Sequence, residues 1–344
     1  MQTDLELGDQ TWATIANGGK GKLAAAVAMK TATEERIDQS VSRILHLRFV
    51  TGQFDPIAEQ PYTKIGAEAV NSTLGQQLNL EAALQARSFL VDMSRSGTSS
   101  SNKRIDCAQS FVLLKNEDKT LPMAKGKKTA ILGPHVHSTR DLMSDYKGDE
   151  QCNGGGSDFS CFPTIAQAFT QANGAANTLV EQGVDMSSNN GSGIPAALAA
   201  AKSASQVLLF IGIGNGQEHE GIDRHNTSLP GLQEPFALQV LALCKRQSIP
   251  AAVVLINGGA VAIDPVVPAA TAIVEAFYPS VRGAEALTLA LFGAENRFGK
   301  LPVTLYDKDY ISQVDFHDFH MSKPPVSRTI IAGIWVAFFQ EYQQ

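Results

Sequence analysis

Short runs of consecutive apolar residues alternate with longer stretches of helical periodicity over most of this chain. The runs Phe111–Leu114, Thr129–Leu132, Val207–Ile211, Ala251–Ile256, Ala272–Glu275 and Leu301–Leu305 read as strands. Several lack any polar alternation, as strands buried on both faces do. Between them, residues 164–172, 194–205, 232–246 and 283–292 read as helices. Strands alternating with helices need crossover connections, so the predicted fold class is α/β, a mostly parallel sheet covered by helices on both faces.

The first part of the chain has a different pattern. Thr33 can cap a helix that opens with Glu34 and Glu35, and Ile37, Val41, Ile44 and Leu45 fall on one face. Gly52 is the expected stop. A second amphipathic helix is predicted over 72–86, then Ser94–Lys103 has nothing to bury and reads as a surface loop. Near the end, Arg328–Phe339 is densely apolar with no evident partner.

Composition narrows the function. At 344 residues and 44% hydrophobic the chain can bury a large core. A net charge of −6 with no Lys/Arg run argues against a nucleic-acid partner. Ala251–Phe277 is the most apolar stretch, but Asn257, Gly258, Gly259, Asp264 and two prolines interrupt it, so no membrane span is expected. Met1–Gly8 is acidic and reads as carrying no export signal. Cys152 and Cys161 flank a Gly/Ser-rich loop and are either a loop-closing disulfide or two buried thiols. No metal is expected, because no zinc-type ligand spacing occurs.

The densest chemistry follows the run Val207–Gly212: Glu218, His219, Glu220, Asp223 and Arg224 lie within a few residues of one another. Open α/β sheets carry their ligands at the carboxyl ends of strands, so this loop is the candidate site. Glycoside cleavage needs one carboxylic acid to protonate the leaving oxygen, and Glu218 or Glu220 could be that acid. A solvated acidic loop is the plainer reading. An Asp223–Arg224 ion pair would hold the loop in shape. Asp141 and Asp145–Gly148, on the loop after Thr129–Leu132, would share its rim, and His135 and His137 there read as surface residues. Gly212, Gly214 and Gly216 suggest a dinucleotide loop only faintly, since their spacing is wrong and acidic residues follow.

Taken together, Ile37–Leu45, Gly52–Asp55, Ser110–Asn116, Ile131–Pro134, Asp145–Gly148, Glu218–Gln233, Asn257–Gly258 and Phe292–Thr304 resemble glycoside hydrolase family 3, in its β-xylosidase and arabinofuranosidase-like branch. The resemblance implies a (β/α)8 barrel followed by an α/β sandwich and a retaining hydrolase without cofactors. An Asp of the barrel would be the nucleophile and a Glu of the sandwich the acid/base. It implies Glu218 as that acid/base with Glu220 the alternative, Asp145, Tyr146 and His219 as substrate contacts, and Asp223 and Arg224 as loop architecture. On this alignment residues 1–60 are the last helices of an incomplete barrel and a linker. Residues 61–322 are the sandwich, with 87–106 an inserted loop, and 323–344 are an atypical tail. The nucleophile has no counterpart here, so the expectation is a domain inactive alone, with an oligosaccharide or aryl glycoside as ligand and a missing barrel domain as partner. A non-catalytic carbohydrate-binding relic is the alternative. Relatives are often extracellular or lysosomal, and the chain's own location stays open.

Overall fold

The computed structural model describes residues 22–66, 69, 72–84, 111–145, 158–315 and 317. The inserted loop, Tyr146, Cys152 and the apolar tail lie outside the described residues. The chain divides into two compact units, residues 1–72 and 73–344.

The first unit carries helices α1 (Lys22–Ala28) and α2 (Glu34–Val50). Thr33 caps α2 by accepting the Arg36 N–H at 3.1 Å. The helix ends at Thr51, and Gly52 takes the left-handed conformation at φ 73° that a glycine tolerates. No residue of α2 is buried, and on its apolar face Val41 and Leu45 remain 45% and 39% exposed.

The second unit is a six-stranded sheet with helices on both faces. Its elements are α3 (Thr73–Leu84), β1 (Val112–Asn116), β2 (Thr129–Leu132), α4 (Ile165–Asn173), β3 (Thr178–Glu181), α5 (Ile194–Ser203), β4 (Gln206–Gly212), α6 (Gln233–Gln247), β5 (Ala251–Ile256), β6 (Ala272–Glu275) and α7 (Gly283–Leu291). The strand order is β1-β6-β5-β4-β2-β3, with β1 antiparallel to β6 and every other pairing parallel.

Strand periodicity sorts the core into two halves. Leu209, Ile211, Val253 and Leu255 face Ala197 and Ala201 of α5 and Phe236 and Val240 of α6. Leu208, Phe210, Val254 and Ile256 face Ile165 and Phe169 of α4, Leu287 and Leu291 of α7, and Leu84 of α3. Phe169 meets Phe210 edge-on, with ring centroids 5.6 Å apart. Each fully buried side chain of this size stabilises the fold by about 1.5–3 kcal/mol, so the central strands are its most rigid part. Thr164 starts α4 with a capping box: it accepts the Gln167 N–H at 3.1 Å while Gln167 accepts the Thr164 N–H at 2.8 Å.

The expected strand over Leu301–Leu305 is irregular instead. Pro302 lacks an N–H for a ladder, and Gly299 makes a single bond to the Phe111 carbonyl, at 2.7 Å. Strand β3 was not anticipated, because Thr-Leu-Val-Glu is short and only half buried at the sheet's edge. Cys161 takes part in a disulfide, whereas Cys244 is a buried free thiol. None of the described helices is long and apolar enough to cross a membrane.

Candidate active site at the carboxyl edge of the sheet

Four parallel strands release their chains at one edge: β2 into 133–145, β4 into 213–232, β5 into 257–263 and β6 into 276–280. Two glycines let these exits run close together. A Cβ on Gly212 (φ 147°) would sit 1.9 Å from the Ile256 carbonyl oxygen, and one on Gly133 (φ 116°) 2.0 Å from that of Phe210. Gln233, fully buried at the start of α6, then locks the β4 exit by accepting the Gly212 N–H and donating to the Gly212 carbonyl, each at 2.8 Å.

The acidic loop is clasped from the side by the loop after β2. Asp141 accepts the Asn215 N–H at 2.9 Å, and the Asn215 amide donates to the Met143 carbonyl at 2.9 Å. Asp145, ion-paired with Arg140 at 3.5 Å, accepts the Glu220 N–H at 3.1 Å. His219 and Ile222 pair antiparallel across the Glu220–Gly221 turn, where Gly221 has φ 83°. The loop therefore has a built shape.

Glu218 points inward from it. Its Oε2 accepts from Arg224 Nε at 3.0 Å, and its Oε1 accepts the Gly259 N–H from the β5 exit. Arg224 also donates from Nη2 to the Ala260 carbonyl. The ion pair within the loop is thus Arg224–Glu218 rather than Asp223–Arg224, because the inward guanidinium meets the half-buried Glu218 carboxylate while Asp223 is exposed. Glu218 keeps 26% of its side chain exposed and Arg224 15%. Tyr278, on the β6 exit, lies against Gly258: a Cβ there would be 2.5 Å from the ring's Cε2 and 3.0 Å from Glu218 Oε1. Burial first, and then the negative charge of Glu218, push the Tyr278 hydroxyl up to about 12.

Of the other candidates, Glu220, His219 and Asp223 are exposed. His219 Nδ1 lies 2.7 Å from the Glu220 carbonyl. His135 corrects the expectation of a surface residue: it is fully buried, and burial lowers its pKa to about 4 against the opposing pull of Asp141. The residue after Gly133-Pro134 turns under the sheet edge, which its sequence neighbours do not reveal. The glycines at 212–216 open onto no helix, since α6 begins only at Gln233. The Gly214 N–H is taken by Gln217 and that of Asn215 by Asp141, leaving little of a phosphate cradle. Gly259, Tyr278 and Glu275 carry no sequence signal but position, just past or at the end of a buried strand, and Asn257 entered the sequence reading only as part of the Asn257–Gly258 family segment, not as a site residue.

A three-layer α/β sandwich with an anchored carboxylate at the carboxyl edge of its sheet defines the class of domain. More narrowly, residues 111–338 match the glycosyl hydrolase family 3 C-terminal domain, and the chain belongs to that family. It is 30% identical over 291 residues to the exo-1,4-beta-xylosidase bxlB of Emericella nidulans, covering 84% of this chain and 33% of that protein. A probable exo-1,4-beta-xylosidase, xlnD, of Neosartorya fischeri is 31% identical over 299 residues, which is 86% of this chain and 33% of that protein. The chain therefore spans about a third of the length of these relatives. Among solved structures, a GH3 exo-beta-xylosidase (XlnD) in complex with a xylobiose aziridine probe superposes with a TM-score of 0.67 at 24% identity, over 87% of this chain and 34% of that one. A beta-glucosidase from Listeria innocua in complex with isofagomine gives 0.63 at 19%, over 81% and 34%.

Proposed function

We propose that this domain supplies the acid/base half of a retaining β-glycosidase site acting on β-linked xylosides or glucosides at their non-reducing ends. Glu218 is the proton donor and acceptor, and a carboxylate nucleophile comes from a barrel domain. The observation that carries the reading is the fixed yet reachable Glu218 carboxylate. Arg224 and Gly259 each occupy one lone pair, one on each oxygen, so a second lone pair remains on each for a proton. A group that must meet a glycosidic oxygen within hydrogen-bond reach gains from such orientation. Glu220 is exposed, and among the described residues its carboxylate has no comparable anchor. In the first step Glu218 protonates the leaving oxygen as the nucleophile attacks the anomeric carbon; in the second it takes a proton from the water that releases the sugar. Arg224, Asp141 and Asp145 act on loop shape, while His219, Asp145 and, by the family resemblance alone, Tyr146 are the sugar contacts.

An aryl β-xyloside assay tests this in two settings. The chain alone should show no turnover above background. Fused to a (β/α)8 barrel domain of a family 3 xylosidase, it should turn over, and Glu218→Gln should cost on the order of 100-fold or more in kcat. The assignment fails if Glu220→Gln causes that loss and Glu218→Gln does not. Turnover by the chain alone that depends on Glu218 would refute the supplied nucleophile. Xylose binding without turnover in either setting would favour the carbohydrate-binding relic.

A further inference from the structure

A fully buried carboxyl group, Glu275, ends β6 beside the site and is not used by the chemistry above. Its Oε2 lies 3.4 Å from Asn257 Nδ2, and its Oε1 accepts the Phe277 N–H at 2.9 Å. Asn257, itself buried at the end of β5, also donates from Nδ2 to the Gly259 carbonyl, at 3.2 Å. Gly259 in turn donates its N–H to Glu218. A second route runs through the backbone, where Phe277 holds a left-handed φ of 50° and so turns Tyr278 against Gly258. For a residue other than glycine that conformation needs local support, and the Glu275 carboxyl accepting the Phe277 N–H provides it.

We propose that Glu275 and Asn257 are positioning residues for Glu218: the buried carboxyl holds the Asn257 amide and the 276–278 turn, and these hold the Gly258–Gly259 turn that fixes the proton donor. The inference rests on the proposed function for its catalytic meaning, while the coupling itself is independent of it. Among the described residues no cationic side chain pairs with Glu275. On β1, Lys115 is engaged by Glu117 and the Val267 carbonyl; on α7, Glu285 is taken by Arg282; beyond β4, Arg224 is taken by Glu218. The titratable and charged groups gathered at this edge besides Glu275 include Glu218, Arg224, Tyr278, Asp141, His135, Arg140 and Asp145. With only neutral donors on it, burial drives the Glu275 carboxyl up to about 8. Ionisation makes it a stronger acceptor, which draws the Asn257 amide away from the Gly259 carbonyl.

Nitrogen-edited NMR of the chain, following the Gly259 amide while the Glu275 carboxyl is followed by its side-chain carbon, tests the coupling. The two resonances should share one inflection near pH 8. Glu275→Gln should abolish the inflection at Gly259, and Asn257→Ala should weaken it while Glu275 still titrates. A Gly259 amide that is flat through that range, or moves with a different midpoint, overturns the proposal in the wild-type chain whether or not either variant folds. So does an inflection that survives Glu275→Gln. If Gly259 follows Glu275 but Glu218→Gln leaves the barrel-fused enzyme fully active, the coupling stands and the acid/base assignment falls.

Discussion

Glu275 and His135 together give the domain a pH-dependent stability whose sign changes along the scale. The Glu275 pKa rises on folding from 4.5 to about 8, so the stability from burying the neutral acid is fully present below 4.5 and is lost as the pH rises through 8. His135 runs the other way. Its pKa falls from 6.5 to about 4, so its contribution is present above 6.5 and is lost as the pH falls towards 4. Between 4.5 and 6.5 the two slopes oppose and largely cancel. From 6.5 to 8, among the described groups whose pKa shifts on folding, Glu275 is the one whose window is open, because the window of the Cys244 thiol, raised from 9.0 to about 11, and that of Tyr278 both open higher. At about 1.4 kcal/mol per pH unit for one proton, unfolding free energy should fall by about 2 kcal/mol across that interval. Urea denaturation followed by far-UV circular dichroism at a series of pH values measures it. Glu275→Gln should flatten the decline and leave a rise through the His135 window. Parallel curves for the wild-type chain and Glu275→Gln would refute the reasoning, since the slope would then belong to other groups.

Three further substitutions probe the scaffold of the site. Gly212→Ala places a Cβ against the Ile256 carbonyl at a backbone angle that L residues avoid, and should cost about 3 kcal/mol or more in urea denaturation; a loss under about 1 kcal/mol would mean the exit is soft. Gln233→Ala leaves the Gly212 N–H and carbonyl and the Met186 carbonyl without their side-chain partner, so about 2–3 kcal/mol should be lost, read from the same measurement. Arg224→Lys cannot bond Glu218 through Nε and the Ala260 carbonyl through Nη2 at once, and should cost about 1–2 kcal/mol and move the Gly259 amide resonance. An unmoved resonance would argue that Gly259 holds Glu218 without help from the guanidinium.

How much of this was legible in the sequence depended on whether the signal was local. Val207–Ile211 and Ala251–Ile256 are apolar without interruption because both faces of β4 and β5 are covered, and that alone pointed to a buried parallel sheet. Thr33 with Glu34 and Glu35 marked the start of α2 through capping that needs no tertiary context. Leu301–Leu305 misled because its apolar residues suggested a strand while Pro302 denied it a ladder. The site was half readable. The loop's position past β4 and its charged residues were visible, but the partner of Arg224 was not, since Glu218 and Asp223 are equally plausible until the chain's path is known. Gly259, Asn257 and Glu275 reach Glu218 from other strand exits, and no short-range pattern records such contacts. His135 was misjudged for the same reason.

The geometry around Glu218 is set by strand register more than by the loops themselves. β4 and β5 are adjacent and parallel, with Gly212 opposite Ile256, so the two chains leave the sheet side by side. Glu218 can therefore accept the Gly259 N–H although the two are far apart in sequence. A slip of two residues between β4 and β5 would keep every side chain on its proper face, yet it would move one exit by about 6.6 Å relative to the other. That exceeds the reach of a hydrogen bond. What forbids the slip is the interlocked packing of Phe210 against Phe169 and of Ile211 and Leu255 beneath Phe236 and Val240. The close approach of Gly212 to the Ile256 carbonyl, which a Cβ would block, adds to it. The Glu218 carboxylate at this edge is thus held in place by residues deep in the sandwich. Core substitutions such as Phe210→Ala should therefore loosen the Gly259–Glu218 contact as well as cost about 3–5 kcal/mol of stability.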